Sequence, residues 1–505
     1  MWCVLIDSAV PASAPAQSER HTNPWLVLVL VCMAQFMVVL DSTIVNVALP
    51  SIQHDLRFTA DNLQWVVNSY TLVLGGFLLL GGRAGDLFGR KRLFLAGVVL
   101  FTFASLMNAI GTTAGMLIVF RGVQGFGAAF ISPAALSIVT TTFTDGRQRA
   151  KALAVWAAIA VGGASIGLIV GGALTQYLSW RWNFFVNIPV GIIVVALAWR
   201  LLPAMRPDRK HAVRGFDIAG AFTATAGLMT LVYGIVGANQ YGWTAPRTMG
   251  LLAGGLLLLV VFVLIEQRVA HPLVRLSIFK TRALRAADIT MLIVAGGMFS
   301  VFFFASLYVQ EVLGFSPLRA GLGFLPLMAA IIFSANLAQR LIGPLGIKMT
   351  GLVGMLIAAL GLGLLSTISA NGSYLTQVLP GLVVMGLGLG LTFMPLTMLA
   401  TYGSTTADAG LASGLLNSSQ QVGGSLGLAI LSTIAAHATL SKLTGLGHAP
   451  TTLDQATAAV AGYRLAFLAS AGLMLLGAIL LGVLISSRDA RVDEIAIPAT
   501  MGIDA

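Results

Sequence analysis

Asp41 and Arg121 are charged residues set inside long apolar stretches, and their placement is the sharpest chemical signal in the chain. A charge in a hydrocarbon layer costs on the order of 3 kcal/mol or more and persists only where something compensates it. A carboxyl alone in an apolar pocket resists ionisation and is placed to exchange a proton near neutral pH. A guanidinium keeps its charge. Asp41 is therefore expected to carry a proton, with Arg121 or a bound cation competing for the carboxylate. The competing expectation is a permanent contact between Asp41 and a polar group that only fixes helix packing. Asp217, Glu266 and Asp288 fall near helix ends on one side and Glu311 near the other, which reads as interfacial. Polar and aromatic residues inside apolar helices are candidates for small-molecule contact. They are Gln64, Asn68 and Thr71 on one helical face, Asn417 and Gln421 on another, and Trp156, Phe299, Phe303, Tyr308 and Met394 as walls.

The elements that must hold these residues are membrane helices. Of 505 residues, 57% are hydrophobic and 9% charged, whereas a soluble domain is about a quarter charged. The apolar residues come in runs of about 20, the length of a bilayer-spanning helix. Only helices and closed barrels pair every backbone group without water, and solid Leu/Val/Ala/Gly runs lack the alternation of a barrel strand. The 57 glycines suit close helix contacts in lipid. Cys3 and Cys32 lie far apart and imply neither a disulfide framework nor a metal site. No phosphate-cradling Gly-rich loop with a Lys and Ser/Thr occurs, and no catalytic or metal-ligand cluster, so no enzyme activity, ATP use, metal or other cofactor is expected.

Fourteen spans are expected, over 25–49, 62–82, 93–111, 114–140, 150–177, 182–202, 215–238, 247–268, 284–312, 317–340, 345–369, 373–401, 410–437 and 462–486. An even number puts both termini on one side. The face opposite them keeps only Arg57, Arg181, Arg247, Arg319, Lys442 and Arg464; all other Lys and Arg except Arg121 cluster on the terminal side. That bias marks the cytoplasm, and it explains the net charge of +11 without nucleic acid. Residues 1–24 lack the basic start and apolar core of a signal peptide and read as a disordered cytoplasmic leader. The loop segments Arg83–Lys91 and Arg340–Lys348 share Arg, Gly and Lys at equal offsets, although Gly343 stands where Asp86 would repeat. Two six-helix halves with two helices inserted between them would account for this echo.

The run from Gly82 through Arg83, Ala84, Gly85, Asp86, Leu87, Phe88, Gly89 and Arg90 to Lys91 and Arg92 resembles the signature loop of the major facilitator superfamily. Residues 38–50, VVLDSTIVNVALP, resemble the first-helix motif of its 14-spanner drug/proton antiporters. Residues 180–189, 313–321 and 410–417 match further motifs, and the resemblance covers about residues 25–486. It implies an all-α polytopic fold with an N-terminal bundle over 25–202, two inserted helices with cytoplasmic loops over 203–283, a C-terminal bundle over 284–486 and a cytoplasmic tail over 487–505. Gly82, Asp86, Gly89 and Arg90 would latch the cytoplasmic side, the glycines allowing a tight turn. Arg121 opens a run resembling the fourth-helix motif, in which Gly125 and Ala129 form a small pair for close packing. Gly163, Gly167, Gly171 and Gly172 resemble the fifth-helix antiporter motif, but Leu168 stands where the family has proline, which removes the obligatory kink.

The resemblance implies proton-driven efflux of small hydrophobic or cationic compounds across the inner (plasma) membrane by alternating access. The partners are then substrate, protons and lipid, and a monomer is expected. A dedicated exporter of an endogenous metabolite, antibiotic or lipid is the alternative reading, and a proton-coupled uptake symporter a further one.

Overall fold

Apolar backbone that cannot turn to water pairs within its own segment, and the chain is helical almost throughout. The computed structural model describes residues 23–143, 145–202, 217–270, 272–274, 276–402, 406–446 and 448–485. The tail and all but the last two residues of the leader lie outside these ranges. In chain order the helices are α1 (Pro24–Leu56), the short α2 (Ala60–Leu63), α3 (Trp65–Phe88), α4 (Arg90–Ile110), α5 (Ala114–Thr142) and α6 (Gly146–Tyr177). The one-turn α7 (Trp182–Phe185) leads into α8 (Asn187–Leu201), followed by α9 (Ile218–Tyr241) and α10 (Pro246–Arg268). The remainder are α11 (Arg282–Leu307), α12 (Pro317–Gly323), α13 (Leu325–Leu365), α14 (Leu379–Thr401), α15 (Thr406–Thr444) and α16 (Thr452–Leu484).

Twelve helical stretches among the described residues are long and apolar enough to cross a bilayer. One of these, Pro317–Leu365, is two rods, because Gly346 interrupts α13 at φ 78°, ψ 161°. The 32-residue α6 is a further rod outside that count.

Several expected loops are shorter than the sequence suggested. Residues 83–92 are not an extended loop: α3 runs to Phe88, α4 starts at Arg90, and Gly89 alone reverses the chain at φ 94°. Only glycine adopts that conformation without strain. Gly346 does the same at the equivalent place in the second half. Each turn then carries a lysine that serves a neighbouring helix end. Lys91 Nζ donates to the carbonyls of Trp199 (2.9 Å) and Leu202 (2.5 Å), at the end of α8. Lys348 Nζ donates to Gly482 (2.8 Å) and Ile485 (2.5 Å), at the end of α16. A helix C-terminus leaves carbonyls unpaired, so a cation there satisfies both valence and dipole. The expected loop 438–461 also contracts, because α15 continues to Thr444 and a Thr451/Asp454 capping box starts α16 at Thr452.

The two halves meet at the far ends of α1, α6 and α11. Ser306 Oγ and Gln310 Nε2 donate to the carbonyls of Asn46 (2.8 Å) and Val47 (3.0 Å). Gly172 lies against the backbone of Pro317 and Leu318, and Gly321 against Leu168. A second seam joins α3 to α15, where Thr71 and Ser425 hydroxyls are 2.5 Å apart and Ser418 Oγ donates to Gly75 O at 3.0 Å. α9 and α10 divide the roles left open by the sequence. α10 exposes Leu256, Leu257 and Val260, while α9 packs along the α3–α15 seam through Val232 and Val236 against Trp65, Leu72 and Ala429.

On the rim, Arg181 Nη1 and Trp180 Nε1 both donate to Asp55 Oδ2, at 2.6 and 2.9 Å. The ion pair is substantially exposed, with side chains 30% and 46% accessible. Arg181→Ala is accordingly expected to change stability by no more than about 1 kcal/mol, read as a shift in thermal inactivation midpoint. A larger loss would assign this rim a structural role beyond its charge pair.

Candidate functional site

Asp41 does not sit in an apolar pocket. Nearly five turns into α1, it faces polar groups of α5 and α8, and α4 adds Ser105 and Asn108 to the same network. Arg121 Nη1 donates to Asp41 Oδ2 at 2.5 Å, with the two side chains 1% and 0% exposed. Asp41 Oδ1 accepts from Gln124 Nε2 at 2.7 Å and Asn187 Nδ2 at 3.0 Å. Gln124 is the hub: its Oε1 accepts from Arg121 (2.8 Å) and Asn108 (3.0 Å), and its Nε2 also reaches Ser105 Oγ at 2.8 Å. Arg121 Nε donates to Val66 O at 3.0 Å, and its guanidinium lies 4.3 Å from the Tyr70 ring centre.

Helix spacing makes this cluster possible. Arg121 and Gln124 are three residues apart on α5 and so share a face. Gly125, the next residue, lets α3 approach: a Cβ there would collide with the Tyr70 backbone. Gly163, Gly167 and Gly171 form a stripe at four-residue spacing on α6 that receives α1 in turn at Phe36/Val39, Leu40/Thr43 and Ile44. The stripe thus fixes the helix that carries Asp41. Gly172 faces the other half instead. With Leu168 in place of proline, α6 is an unbroken helix, and Leu168 is fully buried beneath Gly321.

The other candidates separate by position. Gln64 and Asn68 are fully buried and bonded to each other (3.3 Å), and Thr71 is spent on the seam to Ser425. Gln421 is half-buried with its Cβ packed toward Gly75 of α3, and Asn417, one turn earlier, is exposed. Trp156, Phe299 and Met394 are half-buried. Phe303 and Tyr308, expected as cavity walls, lie instead in the core of the second half. Phe303 makes an edge contact with Phe304 at 5.2 Å, and Tyr308 Oη donates to Ser369 O at 2.8 Å. Among the proposed latch residues, Gly89 is the turn and Gly82 faces Pro133. Arg90 is half-buried, and the side chain of Asp86 lies outside the described residues.

Sequence reasoning passed over Gln124, Asn187, Ser105 and Asn108, although the first two lie within motifs already singled out. An amide inside an apolar helix, level with a buried charge, was the available signal. It also placed Asp288 at an interface, whereas the side chain is 5% exposed on α11.

Comparison with known proteins identifies the family. The family model for the Major Facilitator Superfamily matches residues 31–428. The chain is 40% identical to the puromycin resistance protein of Streptomyces alboniger, over 96% of both proteins. It is 39% identical to the cephamycin export protein of Amycolatopsis lactamdurans, over 85% of this chain and 88% of that one. Among solved structures, a bacterial homologue of the human lysosomal transporter Spinster, inward-facing and occupied, aligns with a TM-score of 0.66 at 15% identity, covering 92% of this chain and 98% of that one. A buried polar cluster tied to one half of a helical membrane protein, with the halves joined along two seams and family-wide similarity over most of the sequence, places this chain in the Major Facilitator Superfamily.

Proposed function

We propose that the chain exports small hydrophobic or cationic compounds across the plasma membrane, driven by protons. Near full-length similarity to a puromycin resistance protein carries this reading. Residues 25–202 and 284–486 act as the two rocking bundles, with 203–283 inserted, giving fourteen crossings and both termini in the cytoplasm. The contacts of Asn46, Val47 and Gly172 with the second half close the face that the basic loops assign to the exterior. Asp41 and Arg121 form the coupling pair: a proton arriving at the carboxylate competes with the guanidinium, and loosening the pair frees α1 against α5. Gln64, Asn68, Asn417 and Gln421 lie beside the α3–α15 seam and are the favoured polar contacts for substrate. Gly82, Asp86, Gly89 and Arg90 serve the cytoplasmic latch, and the protein works as a monomer.

A second reading, a dedicated exporter of one compound, is favoured by the names of both relatives, each tied to a single antibiotic. One experiment addresses both. Inverted vesicles under a verified pH gradient are expected to accumulate a fluorescent cation, with Asp41→Asn reducing the rate at least tenfold at equal expression. A rate unchanged in the variant would remove Asp41 from coupling. Accumulation of puromycin alone, with no competition from the cation, would select the dedicated exporter.

A further inference from the structure

The two halves differ in how they treat a buried acid. Asp41 receives donors on both oxygens. Asp288, two turns into α11, is 5% exposed, and its Oδ1 accepts only a long bond from Ser419 Oγ at 3.4 Å. Its Oδ2 has no hydrogen-bond partner. Among the described residues there are two ion pairs, Arg121–Asp41 and Arg181–Asp55, and neither involves Asp288.

Among the described residues the surroundings offer no compensation. α14 (379–401) and the facing half of α16 (473–484) contain no titratable residue. Gly477 of α16 approaches Thr290 and Val294, the next turns of α11. On α15 the polar group in contact is Ser419; His437 and Lys442 lie towards its far end, and the side chain of Asp408 lies outside the described residues. α1 meets the end of α11 at Ser306 and the turn just beyond it at Gln310, and its acids Asp41 and Asp55 and its His54 belong to the first half or its rim. Lys280, Arg282 and Arg285 sit at the exposed start of α11, where Arg282 Nε donates to Leu484 O at 2.6 Å.

An anion so placed would be uncompensated in a medium that penalises it by several kcal/mol, so the stable form is the neutral acid. We propose that Asp288 is a second proton-carrying carboxyl, holding an exchangeable proton on Oδ2 in this conformation. The proposal rests on the reading of proton-driven export and deepens it. The proton is held where α11 touches α15, and α15 also carries the seam to α3 through Ser418 and Ser425. Losing the proton leaves an anion that must find a donor, so Ser419 and its helix are drawn to new positions or the cationic group of a substrate takes the proton's place. Proton and cation then exclude each other at one carboxyl, as exchange requires.

Infrared difference spectroscopy of the purified protein at neutral pH tests this independently of transport. A protonated-carboxyl stretching band is expected in the wild type, reduced by the share of one carboxyl in Asp288→Asn and kept in Asp41→Asn; any remainder in Asp288→Asn belongs to other buried acids such as Glu266, whose Oε1 is also without a partner. A band unchanged in Asp288→Asn, or none in the wild type, overturns the proposal. In vesicles, Asp288→Asn is expected to lose gradient-driven accumulation at least tenfold while keeping downhill flux of the same fluorescent cation, with Asp288→Glu restoring accumulation. Wild-type accumulation with an unchanged pH profile in Asp288→Asn also overturns it. If the wild type itself shows no gradient-driven flux, the export reading fails and the infrared band alone decides the assignment.

Discussion

Arg121→Met is expected to abolish transport and to lower stability by about 3–5 kcal/mol, because it leaves the Asp41 charge buried without its cation. The loss should not stop at one contact. Arg121 also holds Gln124 Oε1 and Val66 O, and Gln124 in turn orients Asp41 and Ser105, so a single truncation strands acceptors on three helices. Unpaired buried acceptors add their own desolvation cost. The double variant Asp41→Asn/Arg121→Met removes both charges and is expected to recover most of the stability, while transport stays absent. This separation matters: a buried ion pair is weak evidence for stability, since apolar replacements of both partners are often tolerated. Thermal inactivation midpoints in detergent and gradient-driven uptake in vesicles, measured side by side, check it. Transport restored in the double variant would make the pair a packing device, the competing expectation for Asp41.

The charges were legible because lipid makes them rare: a lone Asp or Arg in twenty apolar residues announces itself. Their environment was not. Asp41, Ser105, Arg121, Gln124 and Asn187 come from four helices, and hydropathy reports depth without reporting which neighbour a face meets. Asp288 shows the same limit from the other side. Its distance from a helix start suggested an interfacial residue, but burial depends on α15 lying against that face. Phe303 and Tyr308 erred in the opposite sense, since an aromatic on a transport helix points equally well into a protein core.

Helix ends failed for a different reason. Hydropathy marks the membrane-embedded part of a helix, whereas its ends follow hydrogen-bond chemistry. α16 starts ten residues before the expected 462 because the Thr451/Asp454 box satisfies its first N–H groups. The segment 83–92 looked like a loop because it is charged and Gly-rich, yet only Gly89 leaves the helical region. The internal echo fared better. The matching Arg, Gly and Lys offsets in the two halves correspond to the same turn and the same lysine-capped helix end.

Gly171→Leu is expected to cost about 3 kcal/mol or more and to abolish transport, whereas Gly162→Ala, on the opposite side of the same helix, should be neutral or slightly stabilising. Overpacking a tight contact costs about 1–3 kcal/mol even where side chains can yield. At Gly171 the obstacle includes backbone, with Ile44 Cα and O each 3.0 Å from the position of a first carbon. The helices would have to part, and α1 would carry Asp41 away from Arg121, Gln124 and Asn187. At Gly162 an added carbon meets nothing within 4 Å. There the change only removes a flexible residue from a helix interior, worth up to about 1 kcal/mol in the favourable direction. The pair therefore distinguishes the stripe as a spacer from glycine as a source of bending. If α6 must flex at its glycines for transport, Gly162→Ala should slow uptake without loss of stability; if the stripe only sets the α1–α6 distance, uptake stays at the wild-type rate. The unbroken helix around Leu168 and the contacts lining Gly163, Gly167 and Gly171 favour the spacer. Vesicle uptake and inactivation midpoints for both variants, at matched expression, decide between them.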